Sequence, residues 1–480
     1  MPQSRRHLLL LLVLGGLLFF CVLGNHQLQG STEPRVAGIA MAMHLDGDWV
    51  TPRLNAVPFL EKPPLSLWLD VVAIRLFGPS TLAVRLASAF AGLFCVLLLY
   101  GALRRIGRPA TLALLAALML MTLASFWANA RQVGEDALLT LGVSLALLSF
   151  LQAWIKPPGR TQDWLAFAVG IAISTLSKGV LGLALPGVVI FACLLWDSLA
   201  RRRLEVCAWL RPLLWTLPGL VPLLIWLLLL YRDGGSAALR EILWTNSVGR
   251  FSGSFSEAGH FEPFYYYLVR LPQAFLPWNI LLYLGIWHFR KNLAQDRYRL
   301  FFVLWLAAQF ALLTLASSKR MVYLMALAPA AAVIAADYSH ILLTRWHARA
   351  SQGMRRAAVL LALLIPACYL GYAIWIEPRA DQQESFLPLT ERIRQHQMAG
   401  RQVALFQPSE RLAGASVFYT RSLLPALQTR EELANFLGQP DEHIALLESA
   451  TVPRAPLSVL QHFRVGERDY YFIGQQSPGD

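Results

Sequence analysis

Glu61 and Lys62 stand side by side in TPRLNAVPFLEKPPLSLW, residues 51–68, and Pro63 and Pro64 follow them directly. A proline pair cannot continue a helix and biases the residue before it toward an extended backbone, so Lys62 is presented on a stiff, non-helical segment. A lysine held in this way at a membrane surface suits an anionic headgroup. Arg131 and Asp136 in RQVGEDALLTL and Lys178 in LSKGVLGL lie at the edges of apolar runs. Asp136 opens its run, where a carboxylate acts either as a general base or as a plain helix-start residue favoured by the helix dipole by roughly 0.3–1 kcal/mol.

These groups must be positioned by elements built for lipid. Hydrophobic residues make up 56% of the chain and charged residues only 15%, and the mean hydropathy is positive, which is the profile of a polytopic membrane protein. The net charge of +13 would suggest nucleic acid in a soluble chain. Here most Lys and Arg fall in short connectors, so the surplus is a topology signal and no nucleic-acid partner is expected. Cys21, Cys95, Cys193, Cys207 and Cys368 have no CxxC or ligand spacing and read as small core residues.

A window of roughly 20 residues picks out about eleven spans, near 8–24, 80–103, 110–129, 136–155, 163–178, 180–196, 212–231, 271–288, 299–316, 321–337 and 356–376. The first has the Arg5–Arg6 and Leu-rich pattern of a signal peptide without a small-residue cleavage site, and is expected to be an uncleaved anchor. With a cytoplasmic N-terminus, the connectors holding Arg104–Arg108, Lys156–Arg160, Arg201–Arg203, Arg290–Arg299 and Arg345–Arg356 all fall inside. Loop 25–79, the turn at 131–135, the Lys178 turn, loop 232–270, the turn at 317–320 and the tail from about residue 377 fall outside. The outer segments must therefore make any site.

Loop 25–79 divides into two interfacial helices; Pro34–Leu45 carries Val36, Ile39, Ala40 and Met43 at near-helical spacing, with Glu33 before the proline. Such helices either admit lipid substrates or seal the bundle. The tail alternates polar and apolar residues in QVALFQ, HIALLES and DYYFIG and reads as a small α/β domain. The expected division is a membrane domain over 1–376 and an outer domain over 377–480.

The run TEPRVAGIAMAMHLDGDWVTPRLNAVPFLEKPPLSLW, together with LSKGVLGLALP at Leu176–Pro186, Arg250–Phe251, HFEPFYYY at His260–Tyr267, LPW at Leu276–Trp278 and SKRMVYLMALAP at Ser318–Pro329, resembles the bacterial polyprenyl-phosphate-sugar-dependent glycosyltransferases. Their motifs read DExRYAEIAxxM and GDWxxPxLNGxxYxEKPPLxYW. This family is related to the 4-amino-4-deoxy-L-arabinose lipid A transferases and, more distantly, to protein O-mannosyltransferases. The resemblance implies a GT-C type fold with about eleven or more transmembrane helices in the bacterial inner membrane and its site and C-terminal domain on the periplasmic side. It also implies a polyprenyl-phosphate-linked sugar donor and an acceptor that is lipid A, another glycan or a protein.

By the same resemblance, Lys62 is the lysine on the carrier phosphate and Tyr323 lies near that phosphate. Arg131 and Lys178, at outer span ends, either complete the cation cluster or are topology or packing charges, and Lys319 and Arg320 beside Tyr323 add to the phosphate reading. Asp136 matches the family's second acidic residue. The family's first aspartate is replaced by Thr32, which cannot act as a carboxylate base, so Glu33 or Asp136 is expected in the catalytic role. The family pattern brings Glu61 near the loop histidine His260, a candidate pair for a divalent metal ion, although two ligands leave a zinc site incomplete. Two other functions compete with transfer: a flippase or transporter of the carrier-linked sugar, and an inactive lipid-sugar-binding homologue. The spans are almost free of ionisable residues, which favours surface chemistry over translocation.

Overall fold

The computed structural model describes residues 3–249, 261–347, 351–439, 442–453 and 457–475. In chain order its helices are α1 (Gln3–Phe20), α2 (Thr32–Asp46), α3 (Leu65–Phe77), α4 (Thr81–Arg105), α5 (Ala110–Met121), α6 (Ala124–Asn129), α7 (Asp136–Ile155), α8 (Thr161–Arg201) and α9 (Val206–Arg240). They continue with α10 (Tyr266–Ala274), α11 (Asn279–Phe289), α12 (Arg297–Leu315), α13 (Ala328–His347), α14 (Gln352–Gly371), α15 (Leu387–Met398), α16 (Glu410–Thr420) and α17 (Arg430–Leu437). The chain gathers into two compact units drawn differently from a division at residue 376. One takes Met1–Cys21, Leu60–Ser66 and Ala87–Leu370, and the other Val22–Phe59, Leu67–Leu86 and Gly371–Asp480. The first outer loop thus belongs largely with the tail.

In the first unit and its flanks, seven stretches among the described residues are long and apolar enough to cross a membrane: α1, α4, α7, α8, Val206–Asn246, α12 and Met321–Arg345. The protein is a multi-pass membrane protein. Helices α5 and α11 are shorter apolar elements, because the expected spans 110–129 and 271–288 are each interrupted. The first breaks between Met121 and Ala124, the second between Ala274 and Asn279, where Pro277 has no N–H to give a helix.

Helix α8 reverses on itself. Lys178 (φ −146°, ψ 27°) and Gly179 (φ 53°, ψ −127°) leave helical geometry, and the second takes a left-handed backbone that glycine adopts without steric cost. A Cβ added at Gly182 would meet the Ser174 carbonyl oxygen at 2.0 Å, whereas eight residues of straight helix would hold the two roughly 12 Å apart. The expected spans 163–178 and 180–196 are therefore the arms of one hairpin, with Lys178 at its tip.

Small residues set α7 against the first arm. A Cβ on Gly142 would meet the Ser174 amide nitrogen at 2.5 Å, and one on Gly170 the Ala146 nitrogen at 2.4 Å. Gly142/Ala146 on α7 and Gly170/Ser174 on α8 thus form facing small-xxx-small pairs, which let membrane helices approach until their backbones touch. The antiparallel register brings the start of α7, and with it Asp136, level with the hairpin tip.

The second unit holds a five-stranded sheet in the order β4-β3-β5-β7-β6, after a short hairpin of β1 (Arg53–Leu54) and β2 (Val57–Pro58). Strands β3 (Gln402–Phe406), β4 (Ala426–Leu427) and β5 (His443–Glu448) are parallel neighbours. Strand β6 (Leu457–Val465) pairs antiparallel with β7 (Arg468–Gln475), which in turn pairs antiparallel with β5. The central runs QVALF and HIALLE are apolar on both faces because helices cover them, and Ile393, Leu405, Leu412, Leu446 and Phe472 form the core. Helix α2 is buried continuously from Glu33 to Met43. It packs on α16 where Gly38 and Gly414 meet, a Cβ on Gly38 falling 2.3 Å from the Gly414 Cα.

Gly170→Val should push α7 from α8 at a cost of about 1–3 kcal/mol, read as a lower melting temperature of the detergent-solubilised chain. Gly187→Ala, where an added Cβ meets nothing within 4 Å, should leave that temperature unchanged.

Candidate functional site

The site is assembled from three places in the first unit. The Pro63–Pro64 segment presents Glu61 and Lys62, the first turn of α7 presents Glu135 and Asp136, and the α8 hairpin tip presents Lys178. Glu135 occupies the helix N-cap position, yet its side chain makes no cap hydrogen bond. Both carboxylates are spent on lysines instead. Asp136 pairs with Lys178, and Glu135 pairs with Lys62 and lies 3.3 Å from Lys178 Nζ. Glu61 lies 3.8 Å from Lys62 Nζ, and Lys178 Nζ stands 4.4 Å from the centre of the Tyr323 ring. The capping reading of Asp136 gives way to an ion pair.

Glu61, Lys62, Lys178 and Tyr323 line a cavity of about 420 Å³ whose remaining walls are mainly apolar, among them Leu181, Leu223, Trp226 and Leu313. Asn246 Nδ2 donates to the Leu60 carbonyl at 2.9 Å, tying the segment after α9 to the one that carries Lys62. Lys178 is buried, whereas the Lys62 side chain keeps 18% exposure. Charges in such surroundings are stable only when paired and hydrogen-bonded. An incoming anion can therefore replace Glu135 as the partner of Lys62 while Asp136 continues to neutralise Lys178.

Two of the other expected cations, Arg131 and Lys319, are held by backbone carbonyls. Arg131 Nη1 donates to the carbonyls of Leu18, Phe19 and Cys21 at 3.0–3.4 Å, holding the end of α1 and its negative dipole pole. Lys319 Nζ donates to the carbonyls of Glu262 and Ala316 at 3.1 and 2.6 Å. The Arg320 amide donates to the Tyr267 hydroxyl at 3.2 Å. None of these three lines the cavity.

Glu33 belongs to the second unit. Its carboxylate receives Arg85 Nε and Nη2 at 2.9 and 2.8 Å and the Gln29 amide at 3.0 Å. Arg85, fully buried, also donates to the carbonyls of Leu23, His26 and Gln27. The pair therefore pins the chain over 23–29. For the metal expectation, Glu61 has a lysine beside it and His260 lies outside the described residues; among the described residues no group of three His, Cys, Asp or Glu side chains converges.

Sequence reasoning did not single out Glu135 or Trp226. Glu135 had a signal, a second carboxylate adjacent to Asp136 at an outer span end. Trp226 had none, since a tryptophan in an apolar span looks the same facing lipid or cavity.

The family model of dolichyl-phosphate-mannose-protein mannosyltransferases matches residues 61–226, the stretch that carries Lys62, Glu135, Asp136 and Lys178. The undecaprenyl phosphate-α-4-amino-4-deoxy-L-arabinose arabinosyl transferase of Pseudomonas aeruginosa UCBPP-PA14 is 31% identical over 388 residues, 78% of this chain and 67% of that enzyme. The chain belongs to this family. A second enzyme of the same name, from Erwinia tasmaniensis, is 26% identical over 309 residues, 63% of this chain and 54% of its own length.

Among solved structures, ArnT from Cupriavidus metallidurans bound to undecaprenyl phosphate superposes with a TM-score of 0.74 at 20% identity, covering 97% of each chain. The oligosaccharyltransferase AglB of Archaeoglobus fulgidus, in complex with an inhibitory peptide and a dolichol-phosphate, superposes with a TM-score of 0.55 at 13% identity, covering 92% of this chain and 69% of that one. The fold is the GT-C type expected from the family resemblance, and the chain is a glycosyltransferase by family.

Lys178→Met removes the cation from two buried carboxylates and should cost about 3–5 kcal/mol, measured by denaturation in detergent. Adding Asp136→Asn to Lys178→Met should recover part of that loss, whereas an additive result would mean the two side chains are not coupled.

Proposed function

We propose that this protein moves a pentose, 4-amino-4-deoxy-L-arabinose, from an undecaprenyl phosphate carrier to lipid A or another envelope acceptor at the periplasmic face of the inner membrane. The observation that carries this reading is the convergence of Lys62 and Lys178 on the wall of an otherwise mainly apolar cavity. A polyprenyl-phosphate-linked sugar has the matching polarity, an anionic phosphodiester on a hydrocarbon tail. The positive-inside pattern supports a periplasmic location for the cavity.

In the proposed reaction an oxygen of the acceptor attacks C1 of the sugar, and the bond from C1 to the phosphate oxygen breaks with its electron pair passing to the phosphate. Lys62 leaves Glu135 to meet the charge that develops on that phosphate, and Lys178, fixed by Asp136 and stacked on Tyr323, adds a second positive centre. Groups already oriented toward developing charge give the largest share of such rate enhancements. If the attacking oxygen carries a proton, a carboxylate must take it. Thr32 cannot, and Asp136 and Glu135, which pair with the two lysines that line the cavity, are the groups we assign, with Glu33 as the other acidic candidate.

Thr32 supports a second reading, in which the chain binds the lipid-linked sugar without transferring it. The reconstituted protein, supplied with undecaprenyl phosphate-linked aminoarabinose and lipid A and followed by mass spectrometry, separates the two. Transfer by the unaltered chain, lowered about 10²–10³-fold in Lys62→Ala and abolished in Asp136→Asn or Glu135→Gln but not in Glu33→Gln, supports the first. Saturable carrier binding that needs Lys62, with no modified lipid A in any variant, establishes the second. Alkaline phosphatase fused to the C-terminus should be active in cells, and an inactive fusion would reverse the assigned orientation.

A further inference from the structure

A second cavity lies at the base of the α8 hairpin, at the far end of its second arm from Lys178. The arm Val180–Arg201 covers roughly 30 Å at 1.5 Å per residue, about the hydrocarbon thickness of a bilayer. This cavity, of about 170 Å³, is lined by Trp154, Trp164 and Trp209 and by Arg201, Arg203, Arg211 and Arg297, with Asp197 and Glu205 as its carboxylates. Asp197 is taken up by Arg297 and by Trp154 Nε1, which donates to it at 2.9 Å. Glu205 is taken up by Arg201 at 2.6 Å.

Two cations remain. Arg211 Nη1 donates to the Pro158 carbonyl at 3.1 Å, a contact that leaves its charge uncompensated. The Arg203 side chain is exposed and has no hydrogen bond or ion pair among the described residues. The rim continues onto leucines that face outward, Leu199 at 70% and Leu204 at 65% exposure, with Val206 and Leu210 beside them. Two guanidiniums without a carboxylate partner, tryptophan walls and an adjoining apolar strip match one chemical class: an anionic phospholipid, its phosphate between the arginines and its acyl chains along the leucines.

We propose that this cavity binds the headgroup phosphate of an anionic phospholipid in the leaflet opposite the transfer site. The leaflet assignment rests on the orientation proposed above, but binding itself does not depend on transfer, so either reading can fail without the other.

The test is native mass spectrometry of the purified full-length chain with phosphatidylglycerol or phosphatidylcholine added at equal concentration. We expect phosphatidylglycerol to be retained preferentially, and Arg203→Gln and Arg211→Gln each to lower its retention about fivefold. Arg345→Gln, an exposed arginine on the same basic side that does not line the cavity, should change nothing. Arg203 makes no side-chain hydrogen bond or ion pair among the described residues, so Arg203→Gln should fold normally, which keeps the test valid if Arg211→Gln does not. Equal retention of the two lipids overturns the proposal, as does an Arg345→Gln effect equal to that of Arg203→Gln, which would indicate diffuse charge. Displacement of the lipid by an equal concentration of glycerol 1-phosphate would reduce the site to a phosphate pocket with no lipid contribution and would also overturn it.

Discussion

A lysine buried at the tip of a membrane hairpin must have a carboxylate, and this requirement organises the site. Lys178 sits at the point where α8 reverses, and Asp136 is its principal counter-charge. Leaving either group alone in such surroundings costs several kilocalories per mole. The helices that carry them must therefore meet in one register, and the backbone contacts of Gly142 with Ser174 and of Gly170 with Ala146 supply it. Packing and electrostatics here are two descriptions of the same constraint.

Glu135 pairs with Lys62 and approaches Lys178, so neither lysine is buried unpaired. In the proposed reaction the phosphodiester of the donor enters as a monoanion and gains its second charge as the bond to C1 breaks. Lys62, on a stiff segment before two prolines and still partly exposed, is the group best placed to exchange partners. The apolar walls contributed by the hairpin, α9 and α12 raise the strength of each of these interactions by excluding water.

The second unit shows the same economy with a different purpose. Glu33 and Arg85 are buried together, and Arg85 spends its remaining donors on the carbonyls of residues 23–27. A buried arginine with its donors satisfied fixes irregular backbone that has no helix or strand to order it. Helix α2, whose spacing suits a membrane surface, packs backbone to backbone on α16 through Gly38 and Gly414.

Much of this was legible in the sequence. Apolar run length located the spans, the proline pair announced the non-helical segment at Lys62, and alternation announced the C-terminal sheet, because each of these is a local property of consecutive residues. The adjacency of Asp136 to Lys178 and of Glu135 to Lys62 was not legible, nor was the withdrawal of Arg131 and Lys319 to backbone carbonyls, because side-chain partners across helices depend on register. Composition decided that the chain is membrane-bound and roughly where its charges stand. Only the tertiary structure decided which charges meet, since helix register is fixed by small-residue contacts between segments far apart in the chain, and a shift of one residue turns a side chain by about 100° around its helix.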